Sequence, residues 1–538
     1  GWKCLDANTT GNNTAVGSAA LGAVTTANNN TAMGISALLV NTADNNTAIG
    51  HQALTANTTG TQNTAVGAFA LDANTTDSYN SAVGYQALSA NTTGEKNTAV
   101  GSFALRDSTT SDNNTALGSS ALILNTTGAN NTAVGSAALD AVTTASNLTA
   151  VGYRALGGNT TGTVNVAVGS NALLSNTTGA QNTAVGHSAL ESATTASSNV
   201  AIGQGAAYAL TTGYACVAIG DQAMAAGNVT GNSNNCIGFQ AGEQLTGGSN
   251  NNFFGTYAGE NTTTGDYNTA VGQEALETNS TGDSNVAIGF RALEASTTAD
   301  QNTAVGTQAL DAITTGTANV AIGYDALGAT STGVNYNNAL GYQALYQTTG
   351  SKNNAFGYQA LHAGAAGNFN CAFGHEAGEE TTTGQYNVFM GFVAGKANTT
   401  GNSNTFVGGE SGEANTTGGY NTAIGMRSLE ANTTGDENVA VGAGALYVNS
   451  TASYNVAVGQ NAMVSNTTGA SNVAVGHDAL YSVTTGNNNT AVGKNALNAN
   501  TADSNVAVGL DAAKTNTSGQ GVVAVGPWCL QANTTGSF

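Results

Sequence analysis

Asn46-Thr47-Ala48-Ile49-Gly50 is followed seventeen residues on by Asn63-Thr64-Ala65-Val66-Gly67, and again by Asn80-Ser81-Ala82-Val83-Gly84. Outward from this stretch the closing glycine recurs from Gly17 to Gly526 in 31 copies; of the 30 intervals, 25 are 17 residues, three are 16 and two are 18. A copy reads roughly N-T-A-V-G-x-x-A-L-x-x-N-T-T-G-x-x, and positions are numbered below from the pentamer glycine as zero. No break long enough for a linker interrupts the period, so residues 1–538 read as a single continuous repeat domain.

Seventeen residues are too few for a helix pair, and N-T-T-G is turn chemistry, because Asn and Gly tolerate positive φ. The T-A-V-G and x-A-L segments are short, apolar and bounded by such turns. The reading is all-β: a parallel β-solenoid with two short strands per coil. At about 4.8 Å per coil, 31 coils predict a rod roughly 150 Å long.

Position −2 is Ala in 27 of 31 copies and +4 is usually Leu, and their exceptions are linked. Cys236 goes with Gly242, Phe253 with Gly259, Phe389 with Gly395, and Phe406 with Gly412. Such volume exchange places −2 and +4 together in the coil interior. Gly378 departs from the rule, since Ala372 stands at its −2. Strand alternation then turns −1 outward, yet −1 is apolar in all 31 copies, as at Val16, Met33, Ile49, Val66 and Val525. A strand apolar on both faces predicts lateral association into a homo-oligomer; the competing reading is a bend at glycine that turns −1 inward. Position −4 is Asn except at Leu148, Cys216 and Val522, and reads as a structural amide ladder.

Composition narrows function. With 10 Lys+Arg against 31 Asp+Glu and a net charge of −21, phosphate backbones and anionic membranes would repel the chain, so no nucleic acid is expected. No apolar run approaches the roughly 20 residues of a membrane span, so no membrane insertion is expected. Gly is abundant at 72 residues, but one Pro and 40% apolar residues at fixed intervals argue against collagen and disorder. The histidines His51, His187, His362, His375 and His477 are widely spaced, and no hydrolase, P-loop or thiol-pair motif occurs. Acidic residues form no one-per-coil ladder, so no catalytic residue, metal or cofactor is predicted.

Some residues stand out. Tyr324, Tyr342, Tyr358, His375 and Phe392 occupy +1 in five successive coils, either as a stacking ladder or as a glycan-contacting strip. Trp2, Cys4, Trp528 and Cys529 sit near the two ends, with both cysteines at +3; they read as end caps or as an end-to-end junction. Abutted end to end, two copies would leave one coil about four residues short, a gap that strand donation could fill. Cys216 and Cys236 lie two positions out of register, about 8 Å apart at Cα, beyond disulfide range. The N-T-T triplets at Asn8, Asn57, Asn91, Asn125, Asn159, Asn176, Asn398, Asn415, Asn432, Asn466 and Asn533 match a glycosylation acceptor that turn chemistry explains without sugar.

The copies Asn199-Val200-Ala201-Ile202-Gly203, Asn285-Val286-Ala287-Ile288-Gly289 and Asn319-Val320-Ala321-Ile322-Gly323 resemble the V-A-I-G motif of YadA-like head repeats in trimeric autotransporter adhesins, which also occur in phage tail fibres. The resemblance implies a left-handed β-roll, three chains laterally associated, and adhesion to a host surface or glycan. The 17-residue coil is longer than usual for that family, and no stalk or membrane barrel is present in the sequence. The expectation is a non-enzymatic extracellular fibre, adhesin or virion fibre acting by multivalent contact. The alternative is the subunit of a head-to-tail extracellular filament, and an ice-binding solenoid with threonine ladders at the N-T-T corner is a third reading.

Overall fold

The computed structural model describes residues 2–330, 333–364 and 366–537, in two compact units, Gly1–Asn268 and Thr269–Phe538. Each unit is a parallel β-solenoid with one three-residue strand per coil. The first carries β1 (Thr14–Val16) to β15 (Asn252–Phe254), the second β16 (Thr269–Val271) to β31 (Val523–Val525). Within a unit, strands pair in phase, as in Thr14↔Thr31, Ala15↔Ala32 and Val16↔Met33. The register holds through the 16-residue coil, where Thr31 faces Thr47, and through an 18-residue coil, where Val217 faces Asn235. The slips are therefore absorbed outside the strand.

The second expected strand is not a strand. The x-A-L segment is a run of turns in which +2 and +4 are left-handed, as at Gln52 (φ 56°) and Leu54 (φ 52°). A left-handed leucine costs about 1–2 kcal/mol, and two things offset it. Its side chain is fully buried. Its amide still bonds to the neighbouring coil: Leu54 N–H donates to Ala70 O at 3.0 Å and Gln52 N–H to Ile35 O at 2.9 Å. The pentamer glycine is more constrained. Gly34 has φ 139°, and a β-carbon there would lie 2.6 Å from the carbonyl carbon of Gly50, so only glycine allows the coils to stack at this corner.

Ala at −2 and Leu at +4 fill the interior, as expected. The rings at −2 show why glycine replaces Leu. A β-carbon at Gly259 would lie 2.7 Å from the Phe253 ring, and one at Gly412 would lie 2.6 Å from Phe406. Gly378 falls into place here, because its neighbour is Phe389 of the following coil, 2.5 Å from the position of a β-carbon. Gly242 likewise meets both Cys236 of its own coil and Phe253 of the next. A ring at −2 thus occupies the +4 space of two coils, and all five +4 glycines follow from three phenylalanines.

Two amide ladders line the coil. The −4 Asn accepts from the −4 amide of the next coil and donates across its own coil: Asn46 Oδ1 accepts from Asn63 N–H at 2.9 Å, and Asn46 Nδ2 donates to Gly60 O at 2.8 Å. The exceptions keep their own amide bonded, as Cys216 N–H donates to Asn199 Oδ1 at 2.8 Å. The second ladder is the N-T-T asparagine at +7: Asn57 Nδ2 donates to Asn41 Oδ1 at 2.7 Å and to Gly60 O at 2.9 Å. Where a coil has both asparagines they converge on one corner carbonyl, and the +7 ladder stops where Val142, Ala193 or Val483 follows, leaving the Oδ1 of Asn125, Asn176 and Asn466 buried without a partner.

Candidate functional site

The outward face of the strand is the most continuous feature of the surface. Every −2 residue of β2–β31 is buried, and no −1 residue in any strand is. Val16 is 55% exposed and Phe373 and Met390 are each 46% exposed. A bend that turns −1 inward is thereby ruled out. Each unit carries an unbroken apolar column at −1, flanked at −3 by Thr, Val or Asn, or by Ser81 or Cys371, and by exposed rings at many +1 positions.

The five +1 rings predicted to share a face do so in the second unit. Tyr324–Tyr342 and Tyr342–Tyr358 stack at 5.4 and 5.2 Å between centroids with interplanar angles of 10° and 8°. His375 continues the stack at 4.8 Å, and Phe392 closes it at 5.5 Å, tilted by 31°. Beside it, Phe356 and Phe373 stack at 4.4 Å in the −1 column. This geometry weighs on the two readings of the strip. The inner rings cover one another's faces and present edges outward, whereas a sugar ring packs on an aromatic face. The ladder reading accounts for the arrangement.

The end residues are exposed differently from the core. Trp2 is 76% and Trp528 58% exposed, while Cys4 and Cys529 are half-buried free thiols, one in each unit. Cys4 Sγ donates to Ala15 O at 3.2 Å, and Lys3 Nζ lies 4.8 Å above the Trp2 ring. Cys216 and Cys236 are buried and unbridged, and burial pushes both thiols up, away from reactivity. Of the N-T-T asparagines, Asn57, Asn91, Asn125, Asn159, Asn176, Asn398, Asn415, Asn432 and Asn466 are buried in the +7 ladder, whereas Asn8 and Asn533 are half-buried. The hydroxyl of the first corner threonine is bonded along the coil axis, as Thr58 Oγ1 donates to Thr75 O at 2.9 Å. The second, at Thr59, Thr93 and Thr127, faces outward.

Several groups escape a reading by motif and emerge when each column is followed down the repeat. Acidic residues do form short columns: Glu277, Glu294 and Asp311 occupy +5 in successive coils. Burial, then Asp325 and Glu294, pushes Asp311 up to about 6. Glu274, Glu277 and Glu294, and again Glu410, Glu413 and Glu430, bring carboxylate oxygens within 4.8 Å of one another. That spacing suits a divalent cation, but each trio already holds a guanidinium: Arg291 Nε lies 2.6 Å from Glu274, and Arg427 Nε lies 2.5 Å from Glu410. The hydrogen bond from Arg291 holds the Glu274 carboxyl below its usual range. Each trio is therefore an ion-pair cluster in which one guanidinium offsets part of the charge of three carboxylates. Tyr79, Tyr267, Tyr336, Tyr386, Tyr420 and Tyr454 form an exposed, left-handed −5 set. Two histidines lie beside a sequence neighbour, His477 Nδ1 at 2.9 Å from Asp478 and His375 Nδ1 at 3.5 Å from Glu376.

No family model matches the chain, and no curated protein or solved structure matches it significantly.

Proposed function

We propose that this chain is a non-enzymatic extracellular fibre subunit, of an adhesin or a virion fibre, that associates laterally with copies of itself and attaches to a surface multivalently. The observation that supports this reading is the −1 column, apolar in every copy and buried in none. A soluble chain rarely exposes so long a contiguous apolar surface. Burying one such side chain contributes about 1.5–3 kcal/mol when complete, and the column repeats this at every coil. Self-association is the economical cover, because a second copy supplies the same column at the same spacing. Three copies is the number implied by the resemblance of the V-A-I-G repeats to trimeric adhesin heads.

Cross-linking tests the lateral contact. With Cys4, Cys371 and Cys529 replaced by Ser, the −1 variant Ile202→Cys is expected to give disulfide-linked dimers on mild oxidation, and Thr178→Cys at the exposed corner is not. Monomers alone from Ile202→Cys, or equal linkage from both, would contradict the reading. The second reading, a head-to-tail filament, draws on the exposed Trp2 and Trp528 rings beside unpaired thiols at Cys4 and Cys529. Reductant-sensitive polymers in electron micrographs would favour it.

A further inference from the structure

In the first unit the +2 column is interrupted at Gly205, where the neighbouring coils carry Ser188 and Gln222. A β-carbon at Gly205 would meet nothing nearer than Gln222 Cγ at 3.8 Å, so the missing side chain leaves open space. The following coil has Ala225 and Ala226 at +5 and +6. Together these small residues produce a surface depression of about 330 Å³, lined also by His187, Gln204, Tyr208, Gln222 and Glu243. That volume lies at the lower end of small-molecule sites.

The lining has a definite chemistry. Tyr208 is 41% exposed, and Ala225 follows it in the +5 column. No ring is stacked on its face from the next coil, in contrast to the Tyr324–Phe392 ladder. Glu243 stands in the same +5 column two coils after Tyr208, and Gln240 Nε2 donates to Gln222 Oε1 at 2.9 Å and to Glu243 Oε2 at 3.2 Å. This fixes the amide so that Gln222 presents Nε2 as a donor beside a carboxylate acceptor. An aromatic ring, an amide and a carboxylate lining one depression complement a pyranose, which carries C–H groups on one face and vicinal hydroxyls at its edge. Among the described residues no Lys or Arg lines the depression and Glu243 does, so an anionic ligand would meet a carboxylate and no fixed cation. None of its lining residues belongs to the −1 column.

We propose that the Tyr208 depression binds an uncharged hexopyranose, alone or as a residue of a surface glycan. The proposal gives the attachment reading a ligand class and rests on that reading for its purpose, while the binding itself does not depend on how many chains associate.

The test is ligand-observed NMR and calorimetric titration of the full chain with glucose, galactose, mannose and N-acetylglucosamine, with N-acetylneuraminic acid as the charged probe. At least one neutral sugar is expected to bind at one site per chain, with a Kd on the order of millimolar. Tyr208→Ala is expected to weaken binding about tenfold and Tyr208→Phe to keep it within about threefold. Gly205→Gln fills the depression with the residue and left-handed backbone that the next coil already has at Gln222 (φ 56°, against 62° at Gly205). It is expected to abolish binding with an unchanged circular dichroism spectrum, and Tyr324→Ala in the ladder to leave binding intact. Absence of binding by all four neutral sugars, binding that survives Gly205→Gln, or equal binding of N-acetylneuraminic acid would overturn the proposal. None of these results bears on lateral association, which cross-linking at Ile202 decides separately.

Discussion

Restoring the commonest interior pair at one phenylalanine tests the packing logic of the coil directly. Gly412→Leu alone returns the usual +4 residue, and its backbone is acceptable, since Leu429 in the next coil is left-handed too (φ 55°). What opposes it is space: a β-carbon at Gly412 lies 2.6–2.7 Å from three atoms of the fully buried Phe406 ring. Phe389 stacks on that ring at 5.7 Å and limits its movement. Overpacking of this kind costs about 1–3 kcal/mol, and the upper end applies. Phe406→Ala alone opens a ring-sized cavity and costs about 3–5 kcal/mol. In the double variant the leucine fills that space, so the remaining loss is mainly the Phe389 stacking, about 1 kcal/mol. The double variant is therefore expected to be more stable than Phe406→Ala by roughly 2 kcal/mol, whereas additive losses would make it the least stable of the three. Because a solenoid need not unfold in one step, the readout is native-state hydrogen exchange at the Gly395 and Gly412 amides. These donate to Ser411 O and Ser428 O, both at 2.9 Å. Additive losses, or a double variant less stable than both single ones, would refute the shared-space argument.

Other expectations follow from the ladders and the charged columns. Asn404→Ala removes the acceptor of the buried Asn421 amide, while Gly418 O keeps its bond from Asn415 Nδ2. The loss should be that of one orphaned group, about 1–3 kcal/mol, read as faster exchange of the Asn421 amide. Asp311 is raised from 3.8 to about 6 in the fold, chiefly by burial. A raised acid favours the folded state at low pH, so this contribution is fully present below pH 3.8 and lost as pH rises through about 6. Asp311→Asn should flatten that part of the difference in melting curves between pH 4 and 7; an unchanged difference would refute the burial argument. Asn432 Nδ2 donates to Asn415 Oδ1 at 2.7 Å inside the coil. Mass spectrometry of folded chain made in a glycosylating host should find no sugar there, and occupancy with the fold retained would refute the closed +7 ladder.

Much of the fold was legible because the repeat acts as its own alignment. Linked exceptions at −2 and +4 revealed the interior contact, and the apolar −1 column revealed the outward face. The x-A-L segment misled because Ala-Leu is compatible with a strand, and the leucine's left-handed backbone leaves no trace in its own identity. The trace lies in its column: glycine replaces Leu at Gly242, Gly259, Gly378, Gly395 and Gly412, while Asn171, Asn461 and Gly205 appear at +2. Gly378 looked exceptional because its partner, Phe389, is eleven residues away in the next coil, and a comparison within one coil could not find it. The N-T-T pattern, read as a corner turn, concealed a buried ladder, because the same asparagine that favours a turn can also bond to its copies above and below. The Tyr208 depression had no motif at all. It arises from small residues, Gly205, Ala225 and Ala226, whose significance depends on the larger residues around them.

Sedimentation equilibrium of the unmodified chain at micromolar concentration tests the lateral account most directly. Lateral association of three chains through the −1 column gives a mass three times the 52.9 kDa of one chain, and Ile202→Lys together with Ile288→Lys should lower it. A concentration-independent mass of 52.9 kDa would mean that the −1 column stands exposed in solution, and would contradict the account.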